Sequence, residues 1–324
     1  MAAEQDGWER AAKCAAAFAP AGSVTTAPQI RQAVRQMRFA SRKVTQLVPE
    51  ITQMRPRPKP AAAKIIDRAS WITANMRTVQ NLLDWINSNR CEHQAEIRVK
   101  PIAAAVPFGL LSSKVLGQVD PFATHAPLLL VAPNIYTQAR SLGLNHRDFY
   151  LWVALHEQTH RQQLASAPWL TDYLRQRAAA VLFSEYSDDD APAYHLGTAG
   201  SCHGQEVDTA AVYDEITVVM SILEGHAEVT MDDVGDQVIA SVARLRRALN
   251  QRRSKGNAVA KLVFEQLGVS EKLAQYRRGA EFVRHTQSLL GKEQFNGIFS
   301  GQLPLPTAAE LAAPDTWLIR VDGY

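Results

Sequence analysis

"FYLWVALHEQTHRQQLASAPWL", residues 149–170, holds the pattern on which the reading of this chain turns. Inside it, His156, Glu157 and His160 form H-E-x-x-H. Apolar positions recur at helical spacing, and the stretch reads as part of a helix over 145–166. On a helix, residues four apart stand one turn above the other. His156 and His160 can therefore offer two imidazole nitrogens to one metal ion. Glu157 is turned by roughly 100° from His156, beside such an ion rather than on it, where it can take a proton from water. Phe149, Trp152, Val153, His156, His160 and Leu164 share one face, which puts both histidines on the inward stripe.

With 9 histidines in 324 residues, H-E-x-x-H arises by chance in roughly one chain in eighty. Histidines satisfied by core hydrogen bonds are the plain alternative. Catalytic zinc takes three protein ligands and leaves a fourth position open, so a third ligand is required. The longer pattern H-E-x-x-H-x-x-G-x-x-H fails, because Gln163 stands at the glycine and Ser166 at the histidine. The best source is "VVMSILEGHAEVTMDD", residues 218–233, within a helix expected over 207–232. Ile216, Met220, Leu223 and Ala227 form its apolar stripe, and Glu224 lies on the flank. A carboxylate there is costly unless paired or metal-bound. Glu224 is the first candidate. Glu228, one turn on, and His226 are its rivals, and Glu228 can instead orient a histidine through its free ring N–H.

Outward from these two helices the chain is mostly helical. Residues 27–50, 64–88, 234–253, 258–268 and 271–290 have the period of helices. Pro56, Pro58 and Pro60 make 54–64 a basic connector. Between 95 and 135, "AEIRVKPIAAAV" and "APLLLVAPNIY" are short apolar runs bounded by prolines, and the second reads as a buried strand. The ending "GQLPLPTAAELAAPDTWLIRVDGY" reads as a loop, a short helical turn and an extended end. Residues 184–206, polar and rich in Gly, Ser and Asp, read as a long loop between the two site helices. The fold class is mainly α with a small β-sheet. A helical N-terminal part (about 1–90) and a metal-site core (about 95–324) make one domain.

Totals exclude several classes. The net charge is +3, mildly basic, and gives no ground for nucleic-acid binding. Cys14, Cys91 and Cys202 are few, odd in number and far apart, which argues for a reducing cytoplasm over a disulfide framework. Glu4, Asp6 and Glu9 stand where a secretion signal needs positive charge, so the N-terminus reads as a short amphipathic helix. No apolar run approaches the ~18 residues of a membrane span. "RLRRALNQRRSK" (244–255) reads as a solvated basic helix end that suits the helix dipole, since no aromatic residues interleave for base stacking. Tyr276 can donate to an oxyanion or cap a core cluster with Phe282. His195, Cys202 and His203 are irregularly spaced for ligands, and Asp188–Asp190 read as solvated.

The 149–170 stretch and "SILEGHAEVTMD" resemble the zincin-like metallopeptidase family common in actinobacteria. So do "IDRASWITAN" (66–75), "KVLGQVDPFA" (114–123), "LLLVAPNI" (128–135), "EKLAQYRRGAEFV" (271–283) and "LPTAAELAAPDTWLIRV" (305–321). Members carry labels of hydrolases or of proteins associated with deazaflavin-coenzyme biosynthesis. The resemblance implies a helix-rich zincin-type fold, with the HExxH helix packed against a second helix that carries the third ligand. It implies Zn2+ on His156 and His160 with Glu157 catalytic, and Glu224 in the third-ligand place of glutamate-type zincins. The expected activity is hydrolysis of a peptide or amide substrate. The alternative is a non-catalytic zinc-binding protein, regulatory or interacting, that retains the site.

Overall fold

A computed structural model describes residues 2–20, 22–23, 25–54, 61–90, 96–123, 126–186, 208–253 and 275–322. Three short strands, β1 (Lys64–Ile66), β2 (Gly117–Val119) and β3 (Leu128–Val131), form a sheet in the order β1-β3-β2. β1 runs parallel to β3 and β2 antiparallel to it. All four residues of β3 are buried. Leu128 and Leu130 join one core, and Leu129 and Val131 join another. A strand covered on both faces needs no polar alternation, which is why the sequence there reads LLLV.

The core containing Leu129 and Val131 is closed by α1 (Ala2–Ala17), α3 (Arg68–Ser88) and α4 (Pro101–Leu111), through Trp8, Trp71, Ile72 and Leu111. The core containing Leu128 and Leu130 is closed by α2 (Ala27–Thr52), α5 (Ala132–Ser141) and α6 (His146–Ser166). Met37, Val44 and Val48 of α2 meet there with Phe149, Val153 and Leu155 of α6. α2 starts on a capping box between Thr26 and Gln29. α6 starts at Asn145, whose side chain accepts from the N–H groups of Arg147 and Asp148.

After α7 (Leu170–Tyr186), α8 (Thr209–Asp233) packs beside α6, with Asp208 capping its N-terminus. α9 (Val242–Arg253) follows, and α10 (Gln275–Phe295) lies along α8. The short helices α11 (Gly297–Ser300), α12 (Ala308–Ala312) and α13 (Pro314–Asp322) complete the described chain. Behind α8 a third core gathers Val219, Ile222, Phe282, Phe295, Phe299 and Trp317. Among the described residues, no helix is long and apolar enough to cross a membrane.

Several elements depart from the reading of the sequence. The start of the expected helix 64–88 is strand β1, and Asp67 then caps α3. The strand expected in 126–136 is strand only over Leu128–Val131 and gives way to helix α5 at Ala132, while β2 and helices α4 and α7 arise where no element was expected. The last residues are helical, not extended, because Trp317 is drawn fully into the third core. α7 runs on to Tyr186, and the rest of the 184–206 segment, with His195, Cys202 and His203, lies outside the described residues, as does 258–268. The basic run does work at helix ends: Arg246 donates to the carbonyls of Met231 and Asp232 at the end of α8, and Arg244 to that of Gly143.

Candidate metal centre

The H-E-x-x-H residues sit in the middle of the 21-residue α6, where every turn is held by backbone bonds on both sides. The polar residues around them are buried and partnered. Arg161 donates to Gln158, to the Thr45 hydroxyl and to the Ala61 carbonyl, so α6 is tied to α2 and to the approach to β1. The rings of His156 and His160 meet edge to face with centroids 4.6 Å apart. Their Nε2 atoms are 3.1 Å apart.

The third group comes from α8. At Gly225 an added Cβ would lie 2.3 Å from the backbone of Gly279 on α10, and one at Gly279 would lie 2.0 Å from the Ser221 carbonyl oxygen. The two helices therefore touch backbone to backbone, which no side chain would permit. That contact holds the α8 turn carrying Glu224. Its Oε1 is 3.5 Å from His160 Nε2, and its Oε2 is 3.8 Å from His156 Nε2.

The three donor atoms lie within 4.8 Å of one another. Tetrahedral zinc with bonds of ~2.0–2.2 Å spaces its ligand atoms about 3.4 Å apart. The two nitrogens are 3.1 Å apart, and each has an oxygen of the Glu224 carboxylate near that spacing, at 3.5 Å for His160 and 3.8 Å for His156. Two imidazole nitrogens and one carboxylate are also a donor set that suits zinc. The residues fit a divalent metal.

Glu157 occupies a different place. Its side chain turns toward the sheet and is 7 % exposed. A Cβ at Gly117 of β2 would fall 2.5 Å from Glu157 Cγ and 2.7 Å from Cδ and Oε1. Burial, and next the charge of Glu224, push the Glu157 carboxyl up to about 8. A cation held by the three donors acts in the opposite direction. His156 and His160 are half-buried rather than inward like Phe149 and Val153. They keep part of their surface exposed, and it is Glu157 that lies deep.

His226 and Glu228 are not among the three grouped donors. His226, 1 % exposed, stacks on Phe295 and meets Phe299 edge-on in the third core. Burial first, then His160 and Lys292, depress its pKa to about 3. Glu228 lies 3.4 Å from Arg284, which also binds Asp232. Tyr276 belongs to the first turn of α10, and its side chain lies outside the described residues. Two residues were missed. Gly117 had one sequence signal, a glycine inside a short apolar run, which marks close approach of another group. Gln163 was seen only as a failed glycine. Its amide accepts from His160 and donates toward α8.

No curated protein matches the chain. A solved structure from Chloroflexus aurantiacus, described as a supposed hydrolase with a novel fold, is similar at a TM-score of 0.69 with 24% sequence identity, covering 97% of this chain and 98% of that one. At that identity the likeness speaks for the fold alone. The model of the zincin-like metallopeptidase family spans residues 7–318, nearly the whole chain and both halves of the donor triangle, and the chain belongs to that family.

Proposed function

We propose that the protein is a zinc-dependent hydrolase of peptide or amide bonds. The observation that carries this reading is the placement of Glu157: a deep carboxyl beside a three-donor triangle, not part of it. A structural zinc site prefers four protein ligands and needs no base.

His156, His160 and Glu224 hold the ion, which when bound supplies Lewis acidity toward a carbonyl and toward water. Glu157 takes one proton from the attacking water as the new C–O bond forms at the carbonyl carbon. It then delivers that proton to the leaving nitrogen as the C–N bond breaks. The products are a carboxylic acid and an amine, and the carboxylate of Glu157 is restored. The burial of Glu157 keeps bulk water from competing for its proton.

A peptide substrate is supported by β2, an edge strand among the described residues. The Val131 N–H donates to the Leu116 carbonyl, so by antiparallel alternation the backbone groups of Gly117 and Val119 face away from β3. An extended backbone can pair there, next to Glu157.

Glu157→Gln tests the reading. Gln keeps the size of the side chain but takes no proton at neutral pH. Zinc content is expected to match the wild type, while cleavage of a peptide library falls by about 10²–10⁴-fold. Undiminished, chelator-sensitive cleavage by the variant would remove Glu157 from the mechanism.

A further inference from the structure

We infer that Gln163, anchored by the Leu223 carbonyl, fixes the tautomer of His160, so that His160 presents a bare Nε2 to the metal site before any ion arrives. The inference deepens the metal-binding reading and rests on it for its consequence, though not for its central test.

The argument starts from an atom with no choice. A backbone carbonyl oxygen only accepts. Leu223 O lies 2.8 Å from the Gln163 side-chain amide, so the amide nitrogen faces it. The other amide hydrogen is directed at His226 Nδ1, 3.0 Å away, which must then be an acceptor. With its nitrogen committed to α8, Gln163 has only its oxygen for the opposite side. That oxygen lies 2.9 Å from His160 Nδ1. An amide oxygen only accepts, so His160 Nδ1 carries the proton. A neutral imidazole has one N–H, and the lone pair is left on Nε2. Nε2 is the atom turned toward His156 and Glu224.

Metal binding requires a bare imidazole nitrogen. Imidazole side chains free in water favour the other tautomer, with the proton on Nε2. The Gln163 relay removes that competition and also locks the ring plane. Gln163 is fully buried, and both its amide hydrogens and its amide oxygen are engaged by protein groups. The relay crosses from α6 to α8 and ends on the residue before Glu224. The same contact that orients one ligand thus holds the backbone of another. Gln163 is a positioning residue: it touches the ligand, not the reacting atoms.

The test uses the full-length, metal-free protein, with its histidine rings labelled with nitrogen-15. His160 is assigned by comparison with His160→Gln. At pH high enough to keep the imidazoles neutral, His160 is expected to show the Nδ1–H tautomer. Gln163→Met, which keeps the length and removes the amide, is expected to shift His160 toward Nε2–H. It should also weaken zinc in chelator competition by about 10–100-fold. His226→Leu leaves the Leu223 anchor in place and is expected to retain the Nδ1–H tautomer. An Nε2–H signal for His160 in the wild type overturns the inference. So does a Gln163→Met protein with unchanged tautomer and zinc affinity, or equal loss of the tautomer in both variants, which would mean general loosening of the core. Nδ1–H in a wild type that binds no zinc would uphold the relay and refute the metal-binding reading.

Discussion

Glu157 and His226 are buried ionisable groups displaced in opposite directions, and their pH signatures separate. The Glu157 carboxyl stands at about 8 against an ordinary 4.5, so the folded metal-free chain keeps a proton that the unfolded chain has released. That contribution is complete below the unfolded value and is lost as pH rises through about 8. His226 stands at about 3 against 6.5, so in that window the unfolded chain takes a proton that the folded chain refuses. Its contribution is present above the unfolded value and is lost as pH falls toward about 3. Urea denaturation of chelated protein across pH should therefore show losses on both sides. Glu157→Gln is expected to flatten the alkaline limb and His226→Leu the acid limb. An alkaline limb that survives Glu157→Gln unchanged would mean that the carboxyl is not held protonated. At this scale, the grouping of His156, His160 and Glu224 was legible, because a metal needs particular donor atoms at particular helical offsets. The depth of Glu157 was not, because depth depends on what packs above it.

What packs above it is an element only three residues long. β2 brings Gly117 against Glu157, and the missing side chain is what lets the carboxyl lie there. Gly117→Ala places a methyl group where Glu157 Cγ now sits. The end of a glutamate side chain can move, so the fold and zinc binding are expected to persist while Glu157 leaves its position. Misplacement by about 1 Å can cost 10²-fold in rate, and a loss of about that size in turnover at unchanged zinc content is expected. Wild-type turnover would show that Glu157 works from more than one position. Helices α2, α6 and α8 were readable from their period. β1 and β2 were not, since three residues carry too little pattern to distinguish a strand from a loop. α7 lacks a clean apolar stripe, being buried on some turns against α3 and on others against α8.

Over the whole molecule, the donor triangle joins α6 to α8, and through α8 to α10 and the C-terminal core. An ion that binds only the folded chain adds stability by mass action, about 2.7 kcal/mol at a free concentration 100 times its Kd. The wild type is expected to unfold at a higher temperature with zinc than with chelator. Glu224 is partly exposed, so Glu224→Ala should leave the chelated protein near wild type and abolish most of the zinc-dependent gain. A full zinc-dependent gain in Glu224→Ala would move the third ligand elsewhere on α8. Glu228, held at Arg284, would be the next residue to test.

The sequence alone determined a mostly helical chain, a buried strand within 126–136 and two helices whose residues match a metal site. These are local facts: period and donor spacing act within a few turns of one helix. Tertiary structure decided the rest. The Gly225–Gly279 contact helps set how close Glu224 comes to the histidines, β2 covers Glu157, and the approach of α8 gives Gln163 a carbonyl to bind. Each of these depends on the distance between segments far apart in the chain. Packing of the whole core sets that distance, and no window of sequence contains it.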